Sequence, residues 1–522
     1  MPHITKVCLS NFRRFRILEI SLNPEVNTII GDNEAGKSSI LQAIELVAGG
    51  SRSKVDTCGI DTLLNKEAVN EFLAGDRQFH NLPELVVDVY LSDLTVLELV
   101  GGYNSDKDKK AAGLRMVCRP DPDYAHEINT ILAQQPDNFP YEYYITQFIT
   151  FSGEAYSGYR RFLKCLSIDS SQINSEYANR EYIRTVYSSI VGDPQRAALK
   201  NEYRLQKLAF KDEKLKGVNA ELETLEFAIR SGAKFNLETD LTLTQDEIPI
   251  DERGKGHQCF IKTEFALNRK KAGSEIDTLL LEEPENHLSH SNMKRLISRI
   301  SDSHQNQIII ATHSSLISTR LDLKNSILLN SSIVEPLVLQ DLSPDTSKFF
   351  MKAPDNNILE FVLSSKVFLV EGDAEYLVLD ALYTVVSGST LEADNVHVIS
   401  IGGTSFKRYM ELAKILGIRT AIIRDNDRNY QRNCVENYAD YVTDNICVFS
   451  DQNDARYTFE VCIYHDNAVI CDKLFSGGRI KKAPLEYMLD NKAESAFRLV
   501  ENHAKELNAP GYIREAIGWI NA

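Results

Sequence analysis

A glycine-rich loop near the start of the chain has the residue types that bind the phosphates of a nucleotide. Its sequence is Gly31-Asp32-Asn33-Glu34-Ala35-Gly36-Lys37-Ser38. In such a loop the backbone N–H groups and the N-terminus of the next helix hold the phosphates, the lysine reaches the β and γ oxygens, and the serine ligates Mg²⁺. The loop predicts an ATP and Mg²⁺ site whose binding residues are Asn33, Gly36, Lys37, Ser38 and Ser39.

A pair of glutamates farther along the chain has the position that nucleotide hydrolysis requires. The apolar run 279–281 leads directly into Glu282-Glu283-Pro284-Glu285. One carboxylate at such a strand end holds the Mg²⁺ shell, and the next polarises the attacking water. By position, Glu282 is expected to take the metal role and Glu283 the role of catalytic base. The pair alone would indicate little, but behind a phosphate-binding loop it predicts an ATPase.

A second group of acidic residues, in the last third of the chain, has the spacing of a divalent-metal site. Glu371-Gly372 ends one apolar run, Glu375 follows one helical turn later, and Asp425-Asn426-Asp427 ends another run. In-line displacement at phosphorus is helped by two cations about 4 Å apart, which need several converging carboxylates. Oxygen ligands suit Mg²⁺, with Mn²⁺ as the alternative. Asp-x-Asp alone is more typical of a surface loop, but the preceding glutamate-glycine strand end favours a metal site.

Apolar patterns predict the elements that position these residues. Residues 28–30 have the pattern of a buried strand that enters the glycine loop, and 38–47 have helical spacing. The runs 278–283 and 308–312 end in polar residues, as buried parallel strands do. Beyond residue 357, strand-like runs alternate with helical runs such as 406–416, which predicts a small parallel α/β domain.

Changes in composition divide the chain into domains. Residues 170–235 are polar and favour helix, which predicts a helical insertion; a dimerisation element and a hairpin packed on its own domain are equally consistent with it. The stretch 343–357 contains two prolines and few apolar anchors, which marks a boundary. We therefore predict an N-terminal ATPase part at 1–169 and a C-terminal ATPase part at 236–345. A linker is expected at 346–357 and a metal-binding domain at 358–522.

The overall composition limits the classes of function. The 522-residue chain is 43% hydrophobic and 25% charged, which is ordinary for a globular protein of several domains. No apolar run reaches the roughly 18 residues of a membrane span, and the N-terminus lacks the pattern of a secretory signal. The nine cysteines are scattered without a Cys-x-x-Cys pair, as in proteins with reduced thiols. These features predict a cytoplasmic protein with no membrane partner.

The net charge of -16 argues against a general nucleic-acid coat protein, because phosphate contacts dominate such binding. It does not exclude a nuclease, whose metal ions and local basic patches can offset the carboxylates. The candidate patches are 160–164, 269–271 and 479–482. Each patch taken alone is more typical of a solvated face than of a DNA track.

Four motifs resemble the ABC-type ATPase heads of the SMC/RecF group: Asn11-Phe12-Arg13, the glycine loop, Glu282-Glu283-Pro284-Glu285 and Ala311-Thr312-His313-Ser314. The resemblance implies nucleotide or metal contacts for three more residues, namely Arg13, Gln147 as a metal sensor and His313 as a switch against the γ-phosphate. Such heads hydrolyse ATP at a dimer interface, where a signature segment of the opposite subunit caps the nucleotide.

The best match to that signature segment is Arg253-Gly254-Lys255-Gly256-His257-Gln258. The group usually has serine between or beside the glycines, whereas this chain has Lys255. The departure puts the usual hydroxyl contact in doubt and predicts slow ATP hydrolysis.

The acidic residues of the last third resemble a Toprim domain, the metal-binding fold of primases, topoisomerases and some nucleases. The order of ABC head and Toprim domain resembles the OLD (overcoming lysogenization defect) family of ATP-dependent nucleases. This resemblance implies that Lys492 stabilises charge on the scissile phosphate, with Lys481 and Lys482 as rivals. It implies metal ligation by Glu371, Glu375, Asp425, Asp427 and Glu460.

The expected fold is α/β, an SMC/RecF-like ATPase domain with a short helical insertion followed by a Toprim domain with a parallel sheet. The family resemblance implies an ATP-regulated, divalent-metal-dependent DNA endonuclease, an effector of bacterial antiphage defence. It also implies a homodimer or higher homo-oligomer, with a defence-system partner protein or nucleic-acid sensor. The alternative is an SMC/RecF-like DNA-repair ATPase with a non-catalytic Toprim domain, although such machines carry long coiled-coil arms. The sequence leaves open whether ATP activates or inhibits cleavage.

Overall fold

The structure is a computed structural model of the 522-residue chain. It describes residues 2–134, 138–158, 162–171, 176–222, 224–230, 232, 235–267, 276–302, 306–329, 336–353, 357–403, 405–476 and 481–522. The chain divides into two compact units. The first comprises Met1–His313 and Asn325–Pro336, and the second comprises Ser314–Lys324 and Leu337–Ala522.

The first unit contains two main sheets, whose strands are β1 (Ile4–Phe12), β2 (Phe15–Ser21), β3 (Val26–Gly31), β4 (Leu85–Leu91), β5 (Ala112–Pro120), β6 (Tyr144–Thr150), β7 (Cys165–Asp169), β10 (Thr278–Glu282), β11 (Gln307–Thr312) and β12 (Ser326–Leu329), with a small hairpin of β8 (Thr244–Gln245) and β9 (Ile248–Pro249). The antiparallel sheet has the order β2-β1-β4-β5-β6, and the parallel strands have the order β12-β3-β11-β10-β7. Every residue of β3 and β11 is buried, as expected of parallel strands covered on both faces.

The helices of the first unit are α1 (Lys37–Gly49), α2 (Arg52–Cys58), α3 (Ile60–Leu63), α4 (Lys66–Ala74), α5 (Ala125–Gln134), α6 (Glu176–Ile190), α7 (Asp193–Lys214), α8 (Lys216–Asn219), α9 (Leu237–Asp240), α10 (Lys255–Leu267) and α11 (His290–Ser301). Helix α1 packs its buried face on the antiparallel and parallel sheets. Helices α6, α7 and α8 lie in the region 170–235, where the composition predicts helix. None of the described side chains of α7 is buried.

The second unit has a four-stranded parallel sheet in the order β15-β14-β16-β17. The strands of this sheet are β14 (Lys366–Val370), β15 (Val396–Ser400), β16 (Arg419–Ile423) and β17 (Ile446–Phe449), and the unit also contains the two-residue strand β13 (Leu337–Val338), which is not part of this sheet. Its helices are α12 (Ser315–Arg320), α13 (Pro344–Lys352), α14 (Ile358–Leu363), α15 (Asp373–Ser387), α16 (Phe406–Leu416), α17 (Phe459–Asp466), α18 (Ala468–Phe475), α19 (Pro484–Asp490), α20 (Lys492–His503) and α21 (Gly511–Asn521). Strand β14 pairs in register with β16, so the two strands end side by side.

The segment 346–357, predicted to be a linker, instead contains most of helix α13. Its Phe350 is buried and packs edge-to-face on Tyr409, with ring centroids 5.2 Å apart. The hydroxyl of Ser343, which caps the helix, donates a 2.9 Å hydrogen bond to Glu411. The sparse apolar residues of this segment therefore suffice for a short helix on the second unit.

Within the described part of the chain, no helix has both the length and the apolar character needed to cross a membrane.

Candidate functional site

The glycine loop of the first unit joins buried strand β3 to helix α1. Gly36 adopts a left-handed backbone, with φ of 95°, which glycine tolerates at no steric cost. Lys37 is 6% exposed, and its Nζ donates to the carbonyl oxygens of Gly31 at 2.7 Å and Asp32 at 2.9 Å. The lysine therefore folds back over the loop. Asn33 and Ser38 are exposed, whereas Ser39 is buried.

The parallel strand order brings the acidic strand end next to this loop. Strand β11 pairs with both β3 and β10, so the loop, His313 and Glu282 follow neighbouring strands. Burial raises the pKa of Glu282, and a hydrogen bond from Ser38 opposes that rise. Burial lowers the pKa of Lys37, and the Glu283 carboxylate is the largest of the charges that oppose it. Ser38 and Glu282, the two residues predicted to hold Mg²⁺, are thus in contact within one chain.

Glu283 is held by two neighbours beyond the strand end. Asn286 Nδ2 donates to its Oε2 at 2.6 Å, and His313 Nε2 lies 3.4 Å from its Oε1. Glu285 in turn accepts hydrogen bonds at its Oε1 from the Thr312 hydroxyl at 2.6 Å and from the His313 backbone N–H at 2.7 Å. The predicted base and the predicted switch histidine are therefore adjacent, and Glu285 positions the histidine backbone.

The predicted metal sensor Gln147 stands on a different sheet from the glycine loop. Gln147 lies on β6 of the antiparallel sheet, paired with Val117, and not on the parallel sheet that carries the loop. The strand beside β10 is β7, in which Asp169 pairs with Glu282. The alternation of apolar and polar residues in β7 (Cys-Leu-Ser-Ile-Asp) was the sequence signal that could have identified β7 as the strand next to β10. Gln172, the glutamine nearest to it in sequence, lies outside the described residues.

Arg13 lies in the turn between β1 and β2, with a left-handed φ of 50°. Its backbone is fixed by hydrogen bonds with Leu63 and Asn65. The residue lines one cavity together with Ser38 and Glu282, the two residues predicted to hold Mg²⁺.

The predicted signature segment begins helix α10. Lys255 is exposed at its start, and Gly256 lies against the chain that follows β10. A Cβ added at Gly256 would stand only 2.1 Å from the His287 carbonyl oxygen. Of the predicted basic patches, residues 160, 161, 269–271, 479 and 480 lie outside the described residues.

In the second unit, the adjacent ends of β14 and β16 carry the first acidic residues. Glu371 follows β14, and its Oε1 accepts a 3.3 Å hydrogen bond from the backbone N–H of Asp425, which follows β16. Glu375, in the first turn of α15, is 6% exposed. The first turn of a helix and two parallel strand ends thus supply three carboxylates at one edge of the sheet.

Helices α17 and α20 add the remaining residues. The backbone N–H of Phe459 donates to Asp425 Oδ1 at 2.8 Å, which brings the start of α17 to the strand end. The next residue, Glu460, is 2% exposed, and neither carboxylate oxygen has a hydrogen bond of good geometry. Lys492 Nζ, from the start of α20, lies 3.0 Å from Glu460 Oε2. The rival Lys482 pairs instead with Asp490.

The electrostatic interactions show that these groups form one cluster. Burial, together with the charges of Glu371, Glu375 and Glu460 and against the opposing charge of Lys492, raises the pKa of Asp425 to about 8. Burial, with smaller contributions from the charges of Glu460 and Glu371, likewise raises the pKa of Glu375 to about 7. The cluster thus consists of buried carboxylates that destabilise one another's charged forms.

Asp427 departs from the predicted set of metal ligands. Its side chain is 52% exposed, and its Oδ2 lies 3.0 Å from Arg424 Nη2. Arg424 also pairs with Glu371 through Nη1. Sequence reasoning missed Arg424, although an arginine at the end of the apolar run 420–423 was a visible signal.

The cluster fits a hard divalent cation in its donor chemistry. Its available donors are carboxylate oxygens, those of Glu460 have only the nearby ammonium of Lys492 as a partner in the part of the chain that the structure describes, and the mutual repulsion described above would be relieved by positive charge. Among the described residues, however, no three His, Cys, Asp or Glu side chains are already arranged as ligands around one point. Ligation would therefore require side-chain rotation within the cluster.

Comparison with known proteins agrees with this two-part organisation. The family model described as AAA ATPase domain matches residues 3–82 and 125–317, just over half of the chain. The model described as overcoming lysogenization defect protein-like, TOPRIM domain, matches residues 362–427. The fold and the two family models thus define an ATPase–Toprim protein, with an ATPase domain followed by a C-terminal Toprim domain, in the order expected from the sequence.

Individual relatives match over shorter regions. The Old nuclease of Escherichia phage P2 is 27% identical over 200 residues, which cover 34% of this chain and 33% of that protein. The DNA replication and repair protein RecF of Stenotrophomonas maltophilia (strain R551-3) is 47% identical over 47 residues, 9% of this chain and 13% of that protein. These matches span a third or less of the relatives' own length.

Among solved structures, the C-terminal region of the Xanthomonas campestris pv. campestris OLD protein aligns with 22% identity and a TM-score of 0.25, covering 30% of this chain and 94% of that one. The AAA ATPase domain model, which matches more than half of the chain, shows that the chain belongs to that ATPase family, while its last third is similar to the TOPRIM domain of overcoming lysogenization defect protein-like proteins.

Proposed function

We propose that this chain is an ATP-regulated, divalent-metal-dependent DNA endonuclease that nicks or cleaves double-stranded DNA. The proposal is carried by the buried acidic cluster of the second unit, in which Glu375, Asp425 and Glu460 interact beside Lys492. Burying several carboxylates together is costly unless a cation binds them, and perturbed groups of this kind concentrate at functional sites. The likeness to the phage P2 Old nuclease supports the same reaction.

In this proposal Glu375, Asp425 and Glu460 hold Mg²⁺ or Mn²⁺. The bound cation supplies Lewis-acid stabilisation of a phosphoryl oxygen and a lowered pKa of water. Lys492, which is half exposed and paired with Glu460, is placed to stabilise negative charge that develops on the scissile phosphate of DNA.

ATP regulates this activity through the first unit. Lys37 and Arg13 contact the nucleotide phosphates, Ser38 and Glu282 hold its Mg²⁺, and Glu283 polarises the attacking water. Because the signature segment presents Lys255 where serine is usual, hydrolysis is slow and bound ATP acts mainly as a conformational signal.

The proposed biological setting rests on the resemblance to the OLD family alone. The protein acts in bacterial antiphage defence in the cytoplasm, as a homodimer or higher homo-oligomer. A defence-system partner protein or a nucleic-acid sensor controls it.

The first test removes one carboxylate of the cluster. Asp425→Asn is expected to lower cleavage of supercoiled plasmid by at least about 100-fold with Mg²⁺ or Mn²⁺, because weaker, indirect metal contacts already cost 10–100-fold. ATP binding should be unchanged. Asp440→Asn, which removes the same charge from the exposed surface of the same unit, is the control. Full activity of Asp425→Asn would favour the alternative, an SMC/RecF-like repair ATPase with a non-catalytic Toprim domain.

The second test separates nucleotide control from cleavage. Lys37→Ala is expected to weaken ATP binding by roughly 10- to 100-fold, the worth of hydrogen bonds to a charged phosphate. Plasmid cleavage measured across ATP concentrations should then respond only at correspondingly higher ATP. If the variant and the parent chain cut identically at every ATP concentration, ATP does not regulate the nuclease.

A further inference from the structure

A buried arginine lies inside the acidic cluster. The expectation that two metal ions bind there assigns no role to a positively charged side chain at this position. Arg424 is 8% exposed and directly precedes Asp425. Its Nη1 pairs with Glu371 Oε1, and its Nη2 lies 3.0 Å from Asp427 Oδ2. One guanidinium therefore bridges two of the five carboxylates predicted to bind metal.

The surroundings of Arg424 fix this bridge in place. The Glu371 oxygen that it contacts also accepts the backbone N–H of Asp425, so both partners are tied to the strand ends. Tyr438, 1% exposed, contacts the guanidinium as well. A guanidinium stays charged at all physiological pH values, and its planar fork suits two carboxylates at once.

A cation between Glu371 and Asp427 would have to displace this guanidinium. That would leave a buried charge without its partners, which is strongly unfavourable, and would place a dication beside it. The carboxylates of Glu375 and Glu460, by contrast, have no arginine partner among the described residues. Positive charge is supplied at one side of the cluster by a buried guanidinium and, as far as the structure describes the chain, at the other side only by the half-exposed ammonium of Lys492, 3.0 Å from Glu460 Oε2.

We propose that Arg424 takes the place of one of the two cations of a two-metal site. Resting on the proposed nuclease function, this means that the Toprim site binds a single divalent cation, held by Glu375, Asp425 and Glu460. Arg424 acts as a positioning residue that neutralises Glu371 and Asp427.

The test counts bound ions rather than activity. Mn²⁺ is titrated into the nucleotide-free full chain by calorimetry and by electron paramagnetic resonance, in enough salt to screen surface carboxylates. We expect the parent chain to bind one Mn²⁺ that Asp425→Asn loses. The proposal would be overturned if the parent chain bound two Mn²⁺ ions and Asp425→Asn bound neither. This comparison holds whether or not an arginine variant folds.

Arg424→Gln should free Glu371 and Asp427, so the count should rise from one ion to two. The matched control is Arg514→Gln, which removes one exposed positive charge from the same unit and should leave the count at one. A count that stays at one with unchanged affinity in folded Arg424→Gln would also overturn the proposal. Failure of the nuclease proposal is separately visible, as a chain that binds Mn²⁺ but cuts no plasmid.

Discussion

Lys262, on α10 of the first unit, is a buried charge that lies outside the two sites. The side chain is 5% exposed, its ammonium lies 5.3 Å from the centre of the Tyr182 ring, and it donates to Asn179. Burial lowers its pKa to about 8, and the charges of Cys259 and Asp251 oppose this only in part. The folded chain therefore holds this proton less tightly than the unfolded chain does.

The pH dependence of stability follows from that difference. Below pH 8 the lysine is protonated in both states, and the folded state bears the full cost of burying the charge. As the pH rises from 8 to the ordinary value of 10.5, the folded lysine loses its proton first and the cost disappears. Lys262→Met should therefore stabilise the first unit by up to about 3 kcal/mol at pH 7 and by nearly nothing above pH 10.5.

Urea unfolding of the full chain at pH 7 and pH 10.5 would measure the effect. Lys214→Met, at an exposed position of α7, is the control and should show no such pH dependence. An equal gain for Lys262→Met at both pH values would contradict a buried ammonium.

Residue types and spacing predicted most members of both sites but not their pairings. Lys37, Glu282 and Glu371 lie where the motifs place them, because each motif combines a strand end with a fixed offset. The partner of Asp427 could not be predicted in the same way, since a short Asp-x-Asp motif does not say which way its second carboxylate points. Arg424 forms an ion pair with that carboxylate, and only the folded structure shows this pairing.

At the scale of elements, parallel strands explain how residues hundreds of positions apart meet. The carboxyl ends of neighbouring strands lie at one edge, so strand order decides which residues share a site. The apolar runs predicted β3, β10 and β11, but they could not tell which strand flanks β10. The short, half-polar β7 takes that position, and the more strongly apolar β6, which carries Gln147, belongs to the antiparallel sheet.

The approach of α10 to the segment after β10 depends on one glycine. Gly256→Ala places a methyl group 2.1 Å from a backbone oxygen of His287, which cannot rotate away. Although alanine favours helix, overpacking of this kind is expected to destabilise the first unit by about 1–3 kcal/mol.

Thermal unfolding of the full chain would show the effect as a lowered midpoint. Gly254→Ala, two residues earlier, meets no atom within 4 Å and should leave the midpoint nearly unchanged. Equal midpoints for the two variants would mean that α10 and the following segment are not in close contact.

At the scale of the whole molecule, the two units are not consecutive stretches of chain. Residues Ser314–Lys324 belong to the second unit but lie in sequence between β11 and β12, both of which pair with β3 of the first. The composition could not predict that residues 314–324 belong to the second unit, because the apolar pattern of the six-residue helix α12 does not indicate which hydrophobic core the helix packs on. Placing the boundary near residue 346 was reasonable from prolines alone.

Because of this interleaving, no single cut in the chain separates the two units. A fragment that starts at Leu337 keeps the sheet of β14 to β17 but loses α12, whose Arg320 donates to the carbonyl oxygens of Met351 and Ala353. A fragment that ends at His313 lacks β12, the outer neighbour of β3. Each half, expressed alone, would therefore lack a piece that the other half carries.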